Sequence, residues 1–252
     1  MYKSLVSSIF AVAAVLMLSS LLLAEPVPQA GAAKSDLSGV WNRTGGLRTL
    51  SDPPPAMTAE GQARFNANKP SYNRPSSPRA IPPALGNDPA GRCDPLGLVR
   101  SLFAFRPAEF VMLPDRVIQF FEWNHVWRTI WTDGRKLPED PDVTWYGYSV
   151  GRWEGDTLVV DSLGFDDRTW LDQYGDPFTS EMKTEERWRR VNDTLEFTVT
   201  VNDPKTYMKP WVSTKIIWRL QPKAVLREEV CAPIDEEYFN EHTRNHSGGA
   251  TK

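Results

Sequence analysis

Runs of β-branched and aromatic residues separated by short turn pairs constrain this chain more than any other feature. After residue 105 they follow one another with little interruption. Phe110 to Leu113 is one run. Arg116 to Trp123 and Val126 to Thr132 flank Asn124-His125, and Thr144 to Arg152 and Thr157 to Ser162 flank Glu154-Gly155-Asp156. Lys183 to Val191 and Thr194 to Val201 flank Asn192-Asp193, and Ser213 to Leu220 and Ala224 to Cys231 flank Pro222-Lys223. Turn residues between such runs are the signature of hairpins, because Asn, Asp and Gly tolerate the backbone that joins two twisted strands. With Leu37 to Asn42 upstream, the pattern gives about ten strands, and a meander of that length removes its exposed edges by closing. The expected fold is mainly β, an antiparallel up-and-down barrel.

Prolines from Pro53 to Pro95 set the preceding segment apart. Proline lacks a backbone donor, so this stretch reads as an extended arm rather than as strands. A short helix is expected at Thr58 to Asn66, with Thr58 as its cap and Glu60 in its first turn. Phe65, Tyr72 and Ile81 call for burial of the arm on the domain. At the N-terminus, Lys3 precedes an uncharged apolar run from Leu5 to Leu23, followed by small residues. That is the form of a secretory signal peptide, with an uncleaved membrane anchor as the rival reading. The chain thus divides into a signal peptide (1–33), a first strand and Pro-rich arm (34–95), the barrel core (96–240) and a polar, flexible tail (241–252). The expected location is periplasmic or secreted. Cys93 and Cys231, the two cysteines of an exported chain, invite one disulfide.

Gly39-Val40-Trp41, followed by a β-meander, resembles the opening of lipocalin-like barrels. Phe121-Glu122-Trp123-Asn124, Trp131-Thr132-Asp133-Gly134-Arg135, the run from Trp145 to Trp153 and the run from Gly164 to Asp172 look like a widespread family of exported bacterial proteins of unassigned function. The resemblance spans Leu37 to about Glu237. It implies a shared scaffold and carries no catalytic residues.

Strand alternation sorts side chains into faces. A two-residue turn at Asn124-His125 pairs Glu122 with Trp127 and collects Ile118, Phe120, Glu122, Trp127, Thr129 and Trp131 on one face, expected to line the interior. At Asn192-Asp193, Leu195, Phe197 and Val199 share a face with Arg190, Trp188 and Glu186. The other face sets Arg189 against Glu196. A carboxylate among apolar side chains must be paired, hydrogen-bonded or neutral, and desolvation raises its pKa toward the range of a general acid or base. Glu122 and Glu186 are therefore catalytic candidates, the alternative being a salt bridge to an inward arginine such as Arg128 or Arg190.

Asp166, Asp167, Arg168, Trp170, Asp172, Tyr174 and Asp176 crowd the segment after one strand. Asp166 and Asp172 join the catalytic candidates, and Asp167, Arg168 and Trp170 join the ligand-binding ones. The chain holds 10 Trp and 7 Tyr, rings that line amphipathic pockets. Trp127, Trp131, Tyr146 and Tyr148 complete the expected ligand-binding set. No histidine cluster, nucleophile elbow or phosphate loop is present, and no metal or cofactor is expected. The net charge of -3 gives no electrostatic case for nucleic acid. Two functions remain: extracytoplasmic binding of a small apolar or aromatic ligand in a barrel pocket, or a cofactor-free isomerase, lyase or hydrolase using pocket carboxylates.

Overall fold

The structure, a computed structural model, describes residues 35–70, 72, 74–76 and 87–231. The signal-peptide segment, the tail and Ile81 lie outside the described residues. Ten strands form one sheet: β1 (Gly39–Arg43), β2 (Ala108–Met112), β3 (Arg116–Phe121), β4 (Val126–Trp131), β5 (Tyr148–Glu154), β6 (Thr157–Leu163), β7 (Lys183–Val191), β8 (Thr194–Asn202), β9 (Trp211–Val212) and β10 (Ile216–Leu220). Strands β1 to β8 pair in sequence order, and β10 bridges β8 and β1. Nine strands thus close a barrel, and β9 is an extra strand beside β8. All pairings are antiparallel except β4 with β5, which is parallel. The chain leaves β4 at Trp131 and returns along the wall through Pro138 and Pro141 before β5 begins.

Hairpin β7–β8 follows the sequence pattern residue for residue. Val191 opposes Thr194, Trp188 opposes Phe197 and Glu186 opposes Val199, with Asn192 at φ 54° in the turn. Arg189 and Glu196 lie opposite each other as expected, but their ion pairs go to Asp156 and Lys215 instead. Helix α1 (Ala59–Asn68) begins where Thr58 caps it, the Thr58 hydroxyl accepting from Gly61 N at 3.0 Å. Phe65 of the arm is half-buried, whereas Tyr72 is exposed.

Three expectations are corrected. Strand β3 stops at Phe121, and Glu122 to His125 form the connection, with Asn124 and His125 both at positive φ. Phe121 therefore pairs with Val126 and Phe120 with Trp127, a shift of two that keeps each face intact but leaves Glu122 beyond the ladder. The inward face is the other one: Val117, Gln119, Phe121, Arg128 and Ile130 are buried, while Trp127 is 62 % exposed. No hairpin forms around Pro222-Lys223. Residues 224–231 run without strand structure, held by Glu122 accepting from Arg227 N, by His125 Nε2 accepting from Glu229 N, and by Asn124 accepting from Cys231 N. Residues 98–103, to which the sequence pattern assigned no element, form a helix, α2 (Leu98–Phe103), whose Leu98, Val99, Leu102 and Phe103 are buried in the core. It sits toward the end of the barrel where β1 stops and β2 starts, with Phe103 O accepting from Arg43 Nη1 at 2.9 Å.

The barrel interior is packed. Trp188 stacks on Phe197 at 3.8 Å between ring centroids, Trp218 meets both edge-on, and Phe110 meets Trp188 and Trp218 likewise. Trp41, Leu158, Val160, Leu195 and Val199 fill the remaining space. Cys93 and Cys231 are joined in a disulfide, Cα–Cα 5.5 Å, that ties the C-terminal segment to the loop before α2.

Candidate functional site

Strands β4 and β5 share only two paired positions, Ile130 with Ser149 and Trp131 with Val150. The sequence pattern extended the second strand back to Thr144. Instead, Thr144 bonds away from β4: its N–H donates to Gly164 O and its carbonyl accepts from Asp166 N. Gly147 turns the chain at φ 67°, and a Cβ there would lie 2.6 Å from the Phe165 ring and 2.8 Å from Leu163 O. Glycine is required on both counts. The lower half of β4 thus has a partner on one side only, and the wall opens as a window.

A groove of about 470 Å³ occupies this window, lined by Trp127, Arg128, Thr129, Trp131, Thr144, Trp145, Tyr146, Gly147 and Tyr148. Four of the five tryptophans and tyrosines expected from the sequence to bind ligand, Trp127, Trp131, Tyr146 and Tyr148, meet here, and Trp170 does not. The four do so at the wall rather than in the interior. The indoles are sheathed by guanidiniums: Arg135 and Arg116 lie 3.6 and 4.4 Å from the Trp131 ring centroid, and Arg168 lies 4.5 Å from that of Trp145. Such contacts let a large aromatic side chain face outward, which explains why the more aromatic face is not the inner one. Arg135 also donates to the Tyr148 hydroxyl at 3.1 Å. Tyr146 is buried, stacks on Phe121 and is hydrogen-bonded to Ser101; burial pushes its phenol up to about 12.

Arg128 reaches the groove from the inner face of β4. Its Nη1 and Nη2 donate to the two Glu186 oxygens at 2.7 and 2.6 Å, and its Nε to Gln119 Oε1 at 2.7 Å. Glu186 also accepts from Trp188 Nε1 at 3.0 Å. The carboxylate is fully engaged, which makes it an anchor for Arg128 rather than a free base. Gln119 Nε2 is buried beside this network with no partner among the described residues. A buried amide donor left unmet costs of the order of 1–3 kcal/mol.

The remaining candidates are dispersed. Glu122 is buried at the barrel end, where it holds the C-terminal segment and does not join Glu186. Asp166 binds Arg168, whose hydrogen bonds hold its carboxyl below the usual range. Asp167 pairs with Arg64 of α1 at 3.1 Å. Trp170 is buried in the core instead of lining a groove. Asp172 and Asp176 are fully buried around Arg74, and desolvation raises the Asp172 pKa despite that guanidinium. A cavity of about 320 Å³ lies against Arg74 and Asp176, walled by Pro53, Pro54, Pro55, Met57 and Phe65. Among the described residues no cluster of His, Cys, Asp or Glu is suited to a metal.

Trp145, Thr129 and Gly147 line the groove but lie outside the binding set expected from the sequence. Only the departure of Thr144 from the ladder opens the wall beside them, and alternation carries no signal for that. The chain matches no protein-family model, and no curated protein matches it.

Proposed function

We propose that this protein binds, outside the cytoplasm, a small ligand with a flat apolar or aromatic face in the window between β4 and β5. The observation that carries the reading is the convergence of Trp127, Trp131, Tyr146 and Tyr148 with Arg128 where the wall has two paired positions. Rings with polar edges suit such a ligand because they bury area at low entropic cost while their N–H and O–H groups orient it. The packed interior leaves little room for a guest in the lumen, which supports a site at the wall. Arg128, held by Glu186 and Gln119, gives the groove a fixed floor. Engagement of both glutamates in hydrogen bonds weighs for binding over acid–base catalysis by them.

Native mass spectrometry of the protein isolated from its own periplasm or medium tests this. A recurrent small molecule should accompany the wild type and be lost from the Trp127→Ala, Tyr148→Ser double variant. No bound molecule, or one retained by the variant, contradicts the reading.

A further inference from the structure

A second cavity, of about 430 Å³, lies where α2 meets the barrel end. Its walls include Leu96, Phe103, Phe105 and Trp123, with Arg48 and Arg100 among its polar groups. The charges around it do not balance. Arg100 is matched bidentately by Asp88 at 2.7 and 2.6 Å, and Arg106 by Glu229. Arg48 has no carboxylate or hydrogen-bond partner among the described residues. Its guanidinium lies 4.5 Å from the Phe105 ring centroid.

Arg43 presses on the same ring at 4.9 Å and is 93 % buried, since its relative exposure is 7 %. It donates to two carbonyls, Phe103 O and Leu47 O, but among the described residues its Nε has no partner and no carboxylate pairs with it. Burial and the neighbouring Arg48 lower its pKa to about 10, so it remains a cation at neutral pH. Two guanidiniums thus share one phenyl ring, and among the described residues no carboxylate pairs with either. A buried charge such as Arg43 is costly unless a counter-charge arrives, and the exposed Arg48 beside it is placed to hold one. Phe103, Phe105 and Trp123 share the lining with Asp88, Arg100, Arg106 and Gln173, and rings beside an unmatched guanidinium favour an anion that itself carries a ring.

We propose that this cavity is a separate binding site for a small aromatic carboxylate, with Arg48 gripping the carboxylate and Phe103, Phe105 and Trp123 enclosing the ring. A free guanidinium fork matches a carboxylate with two parallel hydrogen bonds. The buried Arg43 adds a fixed positive potential that water screens weakly.

The test uses 1-naphthoate and its neutral counterpart 1-naphthalenemethanol, titrated calorimetrically into the full-length protein. Naphthoate should bind one equivalent, and the alcohol should bind at least about ten-fold more weakly, the value of one charged hydrogen-bonding partner. Arg48→Gln should weaken naphthoate by a similar factor while Arg48→Lys retains part of the affinity. The Trp127→Ala, Tyr148→Ser variant should leave it unchanged, which separates this site from the window. The comparison of acid with alcohol on the wild type needs no variant to fold. No binding of naphthoate, equal affinity for the alcohol, indifference to Arg48→Gln, or loss on altering the window would each overturn the proposal.

Discussion

Removing either partner of the Arg128–Glu186 pair should unfold the barrel more readily than removing both. Both side chains are almost wholly inaccessible, at 2 % and 0 %. Glu186→Leu leaves a buried guanidinium with only Gln119 as partner, and Arg128→Met leaves a buried carboxylate with only the Trp188 indole. An uncompensated buried charge of this kind costs about 3–5 kcal/mol. The double variant leaves no charge. It strands one Gln119 oxygen and one indole N–H, two neutral groups worth roughly 1 kcal/mol or somewhat more each. The double change is therefore expected to cost about 2 kcal/mol, less than either single change. Urea unfolding of the four proteins gives the coupling directly, provided the denaturant slope stays constant. Double-variant destabilisation equal to the sum of the singles would refute the reasoning, because the two side chains would then act independently.

Three further outcomes follow from particular contacts. The disulfide closes a separation of 138 residues, so Cys93→Ser with Cys231→Ser should cost about 5 kcal/mol in the chain-entropy treatment; calorimetry should show a melting temperature lower by roughly 10–20 °C. Thr58→Ala removes the helix cap, and with it a hydroxyl bond to Lys205 O, and should cost about 1–2 kcal/mol in denaturant titration. For Asp172, the folded pKa lies above the ordinary 3.8, so the folded state holds the proton more tightly than the unfolded chain. Its stabilising contribution is complete below pH 3.8 and is lost as pH rises through the raised value. Wild-type stability measured relative to Asp172→Asn should therefore fall with rising pH across that window, and a rise would reverse the assigned cause.

The parts of the fold legible in the sequence are those whose pairing is local. Hairpin β7–β8 was readable because Asn192-Asp193 is a true two-residue turn and Leu195, Phe197 and Val199 alternate strictly. Asn124-His125 looks the same in sequence, yet Glu122 and Trp123 leave the ladder with it, which displaced every pair by two. The six residues of α2 have the composition of a buried strand, and so short an apolar run carries no period that separates the two. The segment 224–231 has the right residues for a strand, but contacts with Glu122, Asn124 and His125 and the disulfide hold it instead of a ladder. The aromatic members of the window were legible from composition. Which side of the wall they face was not, because that depends on Arg116, Arg135 and Arg168 covering the indoles. The carboxylate candidates failed for a related reason: Glu122, Glu186 and Asp172 found partners through tertiary contacts that spacing does not encode, whereas Asp166 pairs locally with Arg168.

The central claim is that the ligand site is a gap in the barrel wall. Amide hydrogen exchange reads it most directly, comparing the protein as isolated with its native small molecule against the same protein after that molecule is stripped by reversible unfolding. Residues 126–131 and 144–150 should exchange more slowly with the molecule present, while hairpin β7–β8 is unchanged. Protection confined to the barrel-end cavity, or spread evenly over β7 and β8, would contradict a site in the wall.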